Sequence, residues 1–127
     1  MTNSAAAQAN KMLVSAVMTA VFIRRDFASV AKHFSPNYKQ HNPAIPNGAD
    51  AIPSLLKMLP PSFGYEPGMI VADGDLVMVH GRYTGWAQKP MIAVDIFKVI
   101  DGKLVEHWDV MQEEVPAAAT KNGNPMF

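Results

Sequence analysis

Hydrophobic residues change their spacing about halfway along the chain. In residues 6–23 they recur every three to four positions, which predicts one helix of several turns. The same spacing over residues 27–34 predicts a second, short helix, which Ser35-Pro36 ends. Residues 49–59 form a third helical pattern, which ends at Pro60-Pro61. The first half of the chain is therefore predicted to be helical.

Beyond the third helix, apolar and polar residues alternate. After a short extended piece at residues 37–42, the alternation predicts four strands, at residues 65–72, 76–84, 89–100 and 103–112. Asp73-Gly74 and Asp101-Gly102 are hairpin turn signals. Helices followed by an antiparallel meander are typical of an α+β fold, in which the helices cover one face of the sheet.

The strand at residues 92–100 is apolar on both faces. One face carries Ile92, Val94 and Ile96, and the other carries Phe97 and Val99. Both faces are therefore expected to be covered. The helices can cover only one of them, so the other face suggests a second subunit.

Length and composition place further bounds on the function. The 127 residues are enough for one domain, in which we expect residues 1–8 to be flexible and residues 113–127 to form an irregular tail. The 11 basic and 11 acidic residues leave no net charge, so neither a nucleic-acid footprint nor a polybasic membrane patch is indicated. The absence of cysteine excludes disulfides, thiolate zinc sites and thiol nucleophiles.

The apolar segments do not predict a membrane protein. No uninterrupted apolar run approaches the length of a membrane span, and the first nine residues lack the early positive charge of a secretory signal. We expect a soluble protein in the cytoplasm.

Four motifs along the chain resemble those of a known family. They are Tyr38-Lys39-Gln40-His41-Asn42-Pro43, Ala72-Asp73-Gly74-Asp75-Leu76-Val77, Val94-Asp95-Ile96-Phe97-Lys98-Val99, and the run from Asp101 to Val110 that contains Glu106-His107-Trp108-Asp109. Together they resemble the SnoaL-like polyketide cyclase branch of the nuclear transport factor 2-like superfamily. The resemblance covers residues 12–127.

The resemblance implies a cone, in which a curved antiparallel sheet wraps around three N-terminal helices and a deep pocket opens between them. Members are usually dimers that pack their outer sheet faces together. A homodimer of this kind agrees with the strand that is apolar on both faces. The pocket is expected to bind substrate through Asn42, Phe97, Val77, Val79, Tyr83 and Met111.

Asp95 is a carboxylate in the middle of an apolar strand. Burial there costs several kcal/mol unless the group is partnered or protonated. It either bonds a backbone amide or a nearby arginine, or it takes part in acid–base chemistry. In the related ketosteroid isomerases, the Asp of an Asp-x-Phe-Arg motif lines the pocket as a hydrogen-bond donor, and Lys98 holds the arginine position here.

His107 and Asp109 are two residues apart on one strand and share a face. Periodicity alone would place Leu104 and Trp108 in the core instead. The family pattern implies the reverse, with His107 and Asp109 inward and Trp108 outward, toward a dimer partner. Structural alternatives are a core histidine held by a carboxylate and a carboxylate at the rim of the dimer.

His41 lies in the short extended segment where isomerase-like members carry a carboxylate base. The matching position here is close to Asn42. This departure moves the role of base to a histidine or to Asp109. The alternative for His41 is a turn histidine that bonds the backbone ahead of Pro43.

Metal and cofactor motifs are missing from the sequence. There is no His-x-His or His-x-x-x-His spacing, no glycine-rich phosphate loop and no Gly-x-Ser-x-Gly elbow. We therefore expect neither a metal nor a cofactor.

These features favour an enzyme that removes a proton next to a carbonyl group of a small apolar ligand and returns one elsewhere. The reaction class is aldol-type cyclisation or condensation, or the related isomerisation or dehydration. Asp109 and His107 are the predicted base, and Asp95 and His41 the predicted donor and positioning groups. A ligand-binding protein without turnover and a purely structural dimerisation domain are the alternatives.

Overall fold

The computed structural model describes residues 4–127, which form three helices and five strands. The helices are α1 (Ala5–Met18), α2 (Ala28–His33) and α3 (Ala51–Met58), and the strands are β1 (Phe34–Gln40), β2 (Gly64–Asp73), β3 (Leu76–Thr84), β4 (Met91–Ile100) and β5 (Lys103–Glu113). A π-helical turn, Thr19–Ile23, continues α1, so the predicted helix over residues 6–23 is confirmed as one continuous element. The α+β fold is confirmed.

The five strands form one curved, open sheet in the order β1-β5-β4-β3-β2. Strands β2 to β5 are an antiparallel meander, as predicted, whereas β1 pairs parallel to β5. The second hairpin turn is Asp101-Gly102, and both residues take positive φ values, of 50° and 73°. The first turn is one residue later than expected, because Asp73 pairs with Leu76 and Gly74 opens the loop at φ 57°.

The described N-terminal residues begin the first helix. The Ser4 side chain accepts a hydrogen bond from the backbone N–H of Ala7, and this cap starts α1 at Ala5. Residues 5–8, part of the stretch 1–8 that we expect to be flexible, form the first turn of α1. Residues 1–3, the rest of that stretch, lie outside the described residues.

The α1 helix and its π-helical turn need separate comment, because Ala5–Ile23 is long and apolar enough to cross a membrane by length and composition. The expectation that no segment reaches this length was therefore too strict. Core helices of soluble proteins pass the same test. Val14, Val17, Met18 and Val21 of this helix are almost fully buried in the core, against the inner face of the sheet.

A β-bulge in β5 changes which side chains face inward. Lys98 pairs with Glu106 and Val99 pairs with Leu104, so Val105 is an extra residue without a partner on β4. Leu104 and His107 are three positions apart, yet both lie on the inner face and are buried. The inward prediction for His107 is confirmed, but the expectation that Leu104 faces outward is wrong, because strict alternation is broken between them.

The outer face of the sheet stays apolar and partly exposed. Val110 is 69% exposed, Val71 60% and Met78 38%. The C-terminal segment after β5 holds only a 3-10 turn, Ala117–Ala119, as regular structure. Its last residue, Phe127, lies against Gly68, where a side chain would leave no room for the ring.

Candidate active site

A small, partly open cavity lies between the helices and the inner face of the sheet. Most of its wall is aromatic or aliphatic, and its polar groups, Gln40, Asp95, His107 and Asp109, come from three strands. The other lining residues are Met18, Phe22, Phe34, Tyr38, Ile45, Ile52, Leu55, Tyr83, Trp86, Phe97 and Met111. Such a cavity suits a small, largely apolar molecule with one polar end.

Asp95 and His107 form a buried pair at the polar end. Asp95 on β4 is 4% exposed and His107 on β5 is 5% exposed. The distance from His107 Nε2 to Asp95 Oδ1 is 2.8 Å. Since this is a hydrogen-bond distance, the two groups share a proton, whichever of them holds it.

Tyr83 supplies the second partner of Asp95. Its hydroxyl donates to Asp95 Oδ2 at 2.6 Å, so both oxygens of the carboxyl group are bonded. Complete burial, the charge of Asp95 and the nearby Tyr65 raise the pKa of Tyr83 well above its usual value. The phenol therefore remains a donor at any pH near neutrality.

Asp109 completes the cluster and is partnered by Asn42. Asp109 and Asp95 are direct partners across β5 and β4, and Asp109 Oδ2 lies 3.8 Å from His107 Nε2. The Asn42 Nδ2 group donates to Asp109 Oδ2 at 2.7 Å. Asn42 Oδ1 in turn accepts from the backbone N–H of Ala44 at 2.9 Å. Asn42 is buried behind Asp109 and is absent from the lining, so it acts on the cavity through Asp109.

Gln40 is a site residue that the sequence analysis missed. Its Oε1 lies 2.5 Å from His107 Nδ1, on the opposite side of the ring from Asp95. The signal was present in the alternation of β1, where Tyr38 faces inward and Lys39 outward, so Gln40 must face inward again.

His41 does not reach the cavity, contrary to expectation. The same alternation turns it to the outer face, where Nε2 lies 2.6 Å from Glu106 Oε2. Its ring stacks on Trp108, with ring centroids 4.8 Å apart and planes 4° from parallel. This contact also places Trp108 on the outer face, as the family pattern implied.

Of the six expected substrate contacts, Asn42 lies behind Asp109 as described above, and the other five divide into two groups. Phe97, Tyr83 and Met111 line the cavity. Val77 and Val79 do not line it, although they face inward, because both are covered in the hydrophobic core.

Within residues 4–127, the group that could hold a metal ion is Asp95, His107 and Asp109, whose donor atoms lie within 4.8 Å of one another. Two ligands of a tetrahedral zinc ion, each about 2.0–2.1 Å from it, stand about 3.3 Å apart. The 2.8 Å between His107 Nε2 and Asp95 Oδ1 is shorter and corresponds to a shared proton. The arrangement as it stands fits a proton better than a metal ion.

Comparison with protein families gives one match, to the SnoaL-like domain, over residues 14–107. A comparison with curated protein sequences found no match. The comparisons that remain are the family match and solved structures of similar fold.

Solved structures with the same fold include three proteins that are assigned to different enzyme classes. A candidate ketosteroid isomerase from Kribbella flavida has a TM-score of 0.72 at 15% identity, over 84% of this chain and 80% of that one. A candidate polyketide cyclase from Acidithiobacillus ferrooxidans has a TM-score of 0.67 at 18% identity, over 88% and 92%. An epoxide hydrolase of M. tuberculosis has a TM-score of 0.67 at 19% identity, over 92% and 90%. At these identities the likeness establishes the fold, and the reaction must be argued from the site.

Proposed function

The chain belongs to the SnoaL-like domain family, and we propose that it is an enzyme that moves a proton at a carbon next to a carbonyl group of a small apolar substrate, without a cofactor. The observation that carries this proposal is the cluster at the polar end of an otherwise apolar cavity, where Asp95 and His107 are hydrogen-bonded and Asp109 lies 3.8 Å from His107 Nε2. Acid–base groups in such surroundings are typical of enzyme sites.

Asp109 is the proposed base, with His107 as its partner. Asp109 Oδ2 takes the proton from the carbon, and the electrons of that C–H bond move into the carbonyl to give an enolate. His107 Nε2 lies 3.8 Å from this oxygen and can exchange the proton with it once a small side-chain movement brings the two atoms to hydrogen-bond distance. The proton then returns to another carbon in an isomerisation, or to the new alkoxide in an aldol-type ring closure.

Asp95 is the proposed donor to the enolate oxygen. A proton on Asp95 Oδ1, shared with His107 Nε2 in the ligand-free protein, can turn to the enolate oxygen, while the Tyr83 hydroxyl on Oδ2 holds the carboxyl group in place. The apolar walls exclude water, which strengthens these hydrogen bonds.

Solvent deuterium uptake tests the proposal even though the natural substrate is not identified. The wild type is incubated in deuterated buffer, with and without a chelator, with a panel of cyclic ketones and β-keto acids, and exchange is measured by mass spectrometry. We expect at least one compound to exchange, with or without chelator. Asp109→Asn and His107→Ala should each slow exchange at least about a hundredfold, and Asp95→Asn should slow it less, because an amide can still donate.

His41→Ala is the matched control for His107→Ala, since it removes the same side chain from the outer face. We expect its exchange rate to equal that of the wild type. Equal rates in the wild type, Asp109→Asn and His107→Ala would contradict the catalytic roles. Loss of exchange in chelator would favour a metal-dependent reaction. Binding of the compounds without any exchange would favour the alternative, a ligand-binding protein of the same fold.

The apolar outer face supports a second proposal, that two copies pair through it. Val110, Met78 and Trp108 lie on this face and are exposed or partly exposed in the single chain. A contiguous exposed apolar surface of this kind is typical of an interface. We also propose that the protein acts in the cytoplasm.

A further inference from the structure

Two side-chain amides near the cavity are each held by a backbone N–H group a short way along the chain. The N–H of Asn42 donates to Gln40 Oε1 at 3.0 Å, and the N–H of Ala44 donates to Asn42 Oδ1 at 2.9 Å. A backbone N–H can only donate, so the amide atom that faces it must be the oxygen. Both amides therefore have one possible orientation.

For Gln40 this orientation has a consequence at His107. The oxygen that accepts from Asn42 also lies 2.5 Å from His107 Nδ1. An amide oxygen cannot donate, so the hydrogen between these two atoms must belong to Nδ1. The Gln40 oxygen then accepts two hydrogen bonds, which matches its two lone pairs.

We propose that Gln40 is a positioning residue that keeps His107 protonated at Nδ1, so that Nε2 is the one ring nitrogen that gains and loses protons in the cavity. The other groups around the ring fit this arrangement. Asp95 and Asp109 both lie on the Nε2 side, at 2.8 Å and 3.8 Å. Tyr38 stacks against the ring with centroids 6.5 Å apart, and Tyr83 reaches it only through Asp95.

Fixed protonation of His107 at Nδ1 would suit the proposed reaction, and to that extent the inference rests on the proposed function. A histidine that could shift its hydrogen to Nε2 in the neutral form would offer Asp109 a donor where the reaction needs a lone pair. Fixing Nδ1–H removes that form. Asn42 is fixed in the same way and acts on Asp109. Because its oxygen accepts from Ala44, its Nδ2–H group points to the carboxylate of Asp109.

The test is nitrogen-15 NMR of the histidine side chains in the ligand-free protein, which needs no substrate. The chain has four histidines, and the His107→Ala variant identifies the signals of His107. We expect Nδ1 to carry a proton at every pH at which the protein is folded, with Nε2 alone changing its protonation. Loss of the proton from Nδ1 at any such pH would overturn the inference.

Three variants separate the role of Gln40 from general damage. Gln40→Leu should lose the Nδ1–H signature, and its neutral form should gain protonation at Nε2. Gln40→Glu should keep the signature, because a carboxylate accepts the same two hydrogen bonds. Gln112→Leu, the same substitution at an exposed position of β5, should leave the spectrum of His107 unchanged.

An unchanged His107 spectrum in Gln40→Leu would overturn the inference, whatever the catalytic activity. Conversely, if the spectra follow expectation and no compound exchanges deuterium, the inference stands and the proposed function fails. The two results are therefore distinguishable.

Discussion

Asp95 lies in the least polar part of the sheet and depends on two neighbours. His107 bonds one of its oxygens and Tyr83 the other, and both partners are themselves buried. A buried carboxyl group that loses a partner suffers most of its desolvation cost without compensation, about 1–3 kcal/mol or more. The hydroxyl of Tyr65, in contrast, is buried and has no hydrogen-bond partner among the described residues.

This contrast gives a paired prediction for two tyrosines whose rings are 4.6 Å apart. Tyr83→Phe should lower the free energy of unfolding by about 1–3 kcal/mol, because Asp95 Oδ2 loses its donor. Tyr65→Phe removes a hydroxyl that makes no bond, so it should be neutral or slightly stabilising. Urea unfolding followed by circular dichroism measures both changes. Equal losses of unfolding free energy would show that the hydrogen bond from Tyr83 to Asp95 adds no stability.

Among individual residues, the sequence predicted the cluster of Asp95, His107 and Asp109 but not Gln40, which holds His107 in place. A carboxylate amid apolar strand residues, and a His-x-Asp pair on one strand, suffice to single out Asp95, His107 and Asp109. Gln40 has only the alternation of β1 to indicate its inward direction, because a glutamine in a short edge strand is not unusual in itself. His41 was predicted at the cavity in place of its neighbour Gln40, because one step along a strand moves a side chain to the other face.

Among the elements, β5 has the largest influence on the site, because its bulge determines which of its side chains face the cavity. Residues on the C-terminal side of Val105 are shifted by one position relative to strict alternation, which brings His107 to the same face as Leu104. The sequence shows the strand and the hairpin before it, because both have strong local signals. It does not show the bulge, since an extra residue in a strand leaves the composition unchanged.

Deletion of Val105 should therefore be tolerated. With the extra residue gone, Leu104 and His107 are two positions apart, so regular alternation keeps both on the inner face, and Val99 and Lys98 keep their partners Leu104 and Glu106. The matched control is deletion of Val94, which has a partner on β5. That deletion turns the side chains on one side of it to the wrong face, and the loss of a large buried side chain such as Phe97 costs about 2–5 kcal/mol. Urea unfolding measures both variants, and a Val105 deletion as unstable as the Val94 deletion would contradict the assigned register.

For the molecule as a whole, the sequence was informative about the layers. The change from helical to alternating spacing predicted helices on one sheet face, and β4, apolar on both faces, predicted a cover for the other. The parallel pairing of β1 with β5 was not predictable, because it joins segments far apart in the chain with no local signal.

The proposed dimer can be tested with one substitution at two methionines. Met78 lies on the outer sheet face, and Met58, at the end of α3, is 85% exposed. Met78→Glu buries a charge in the proposed interface and should shift the protein to monomers, as measured by light scattering at micromolar concentration. Met58→Glu should leave the wild-type mass unchanged. A monomeric wild type would contradict the proposal directly.

Alkaline pH should destabilise the whole fold through its three tyrosines. Burial, the first cause in each case, raises the pKa of Tyr38, Tyr65 and Tyr83 above the ordinary value of 10.0. The unfolded chain releases these protons near pH 10, while the folded protein retains them. Their contribution to stability is therefore complete below pH 10 and is lost as the pH rises further, by up to about 1.4 kcal/mol per pH unit for each tyrosine.

Two measurements check this expectation. Tyrosinate absorbance should appear only together with alkaline unfolding, since these are all the tyrosines of the chain. The slope of unfolding free energy against pH should fall by about a third in Tyr65→Phe. Reversible tyrosinate formation in the folded protein near pH 10 would contradict the burial of these phenols.

The packing of Phe127 on the sheet has a practical consequence for the purification of this protein. Its ring rests on Gly68 and lies 5.7 Å from the ring of His80, so residue 127 packs on the sheet. An affinity tag or fluorescent fusion joined after Phe127 would begin at this surface and, in the proposed dimer, would crowd the second copy away from it. Purification tags attached there are therefore a poor choice for measuring the mass in solution, and a deliberately bulky one would be a simple tool for separating the subunits of the proposed dimer.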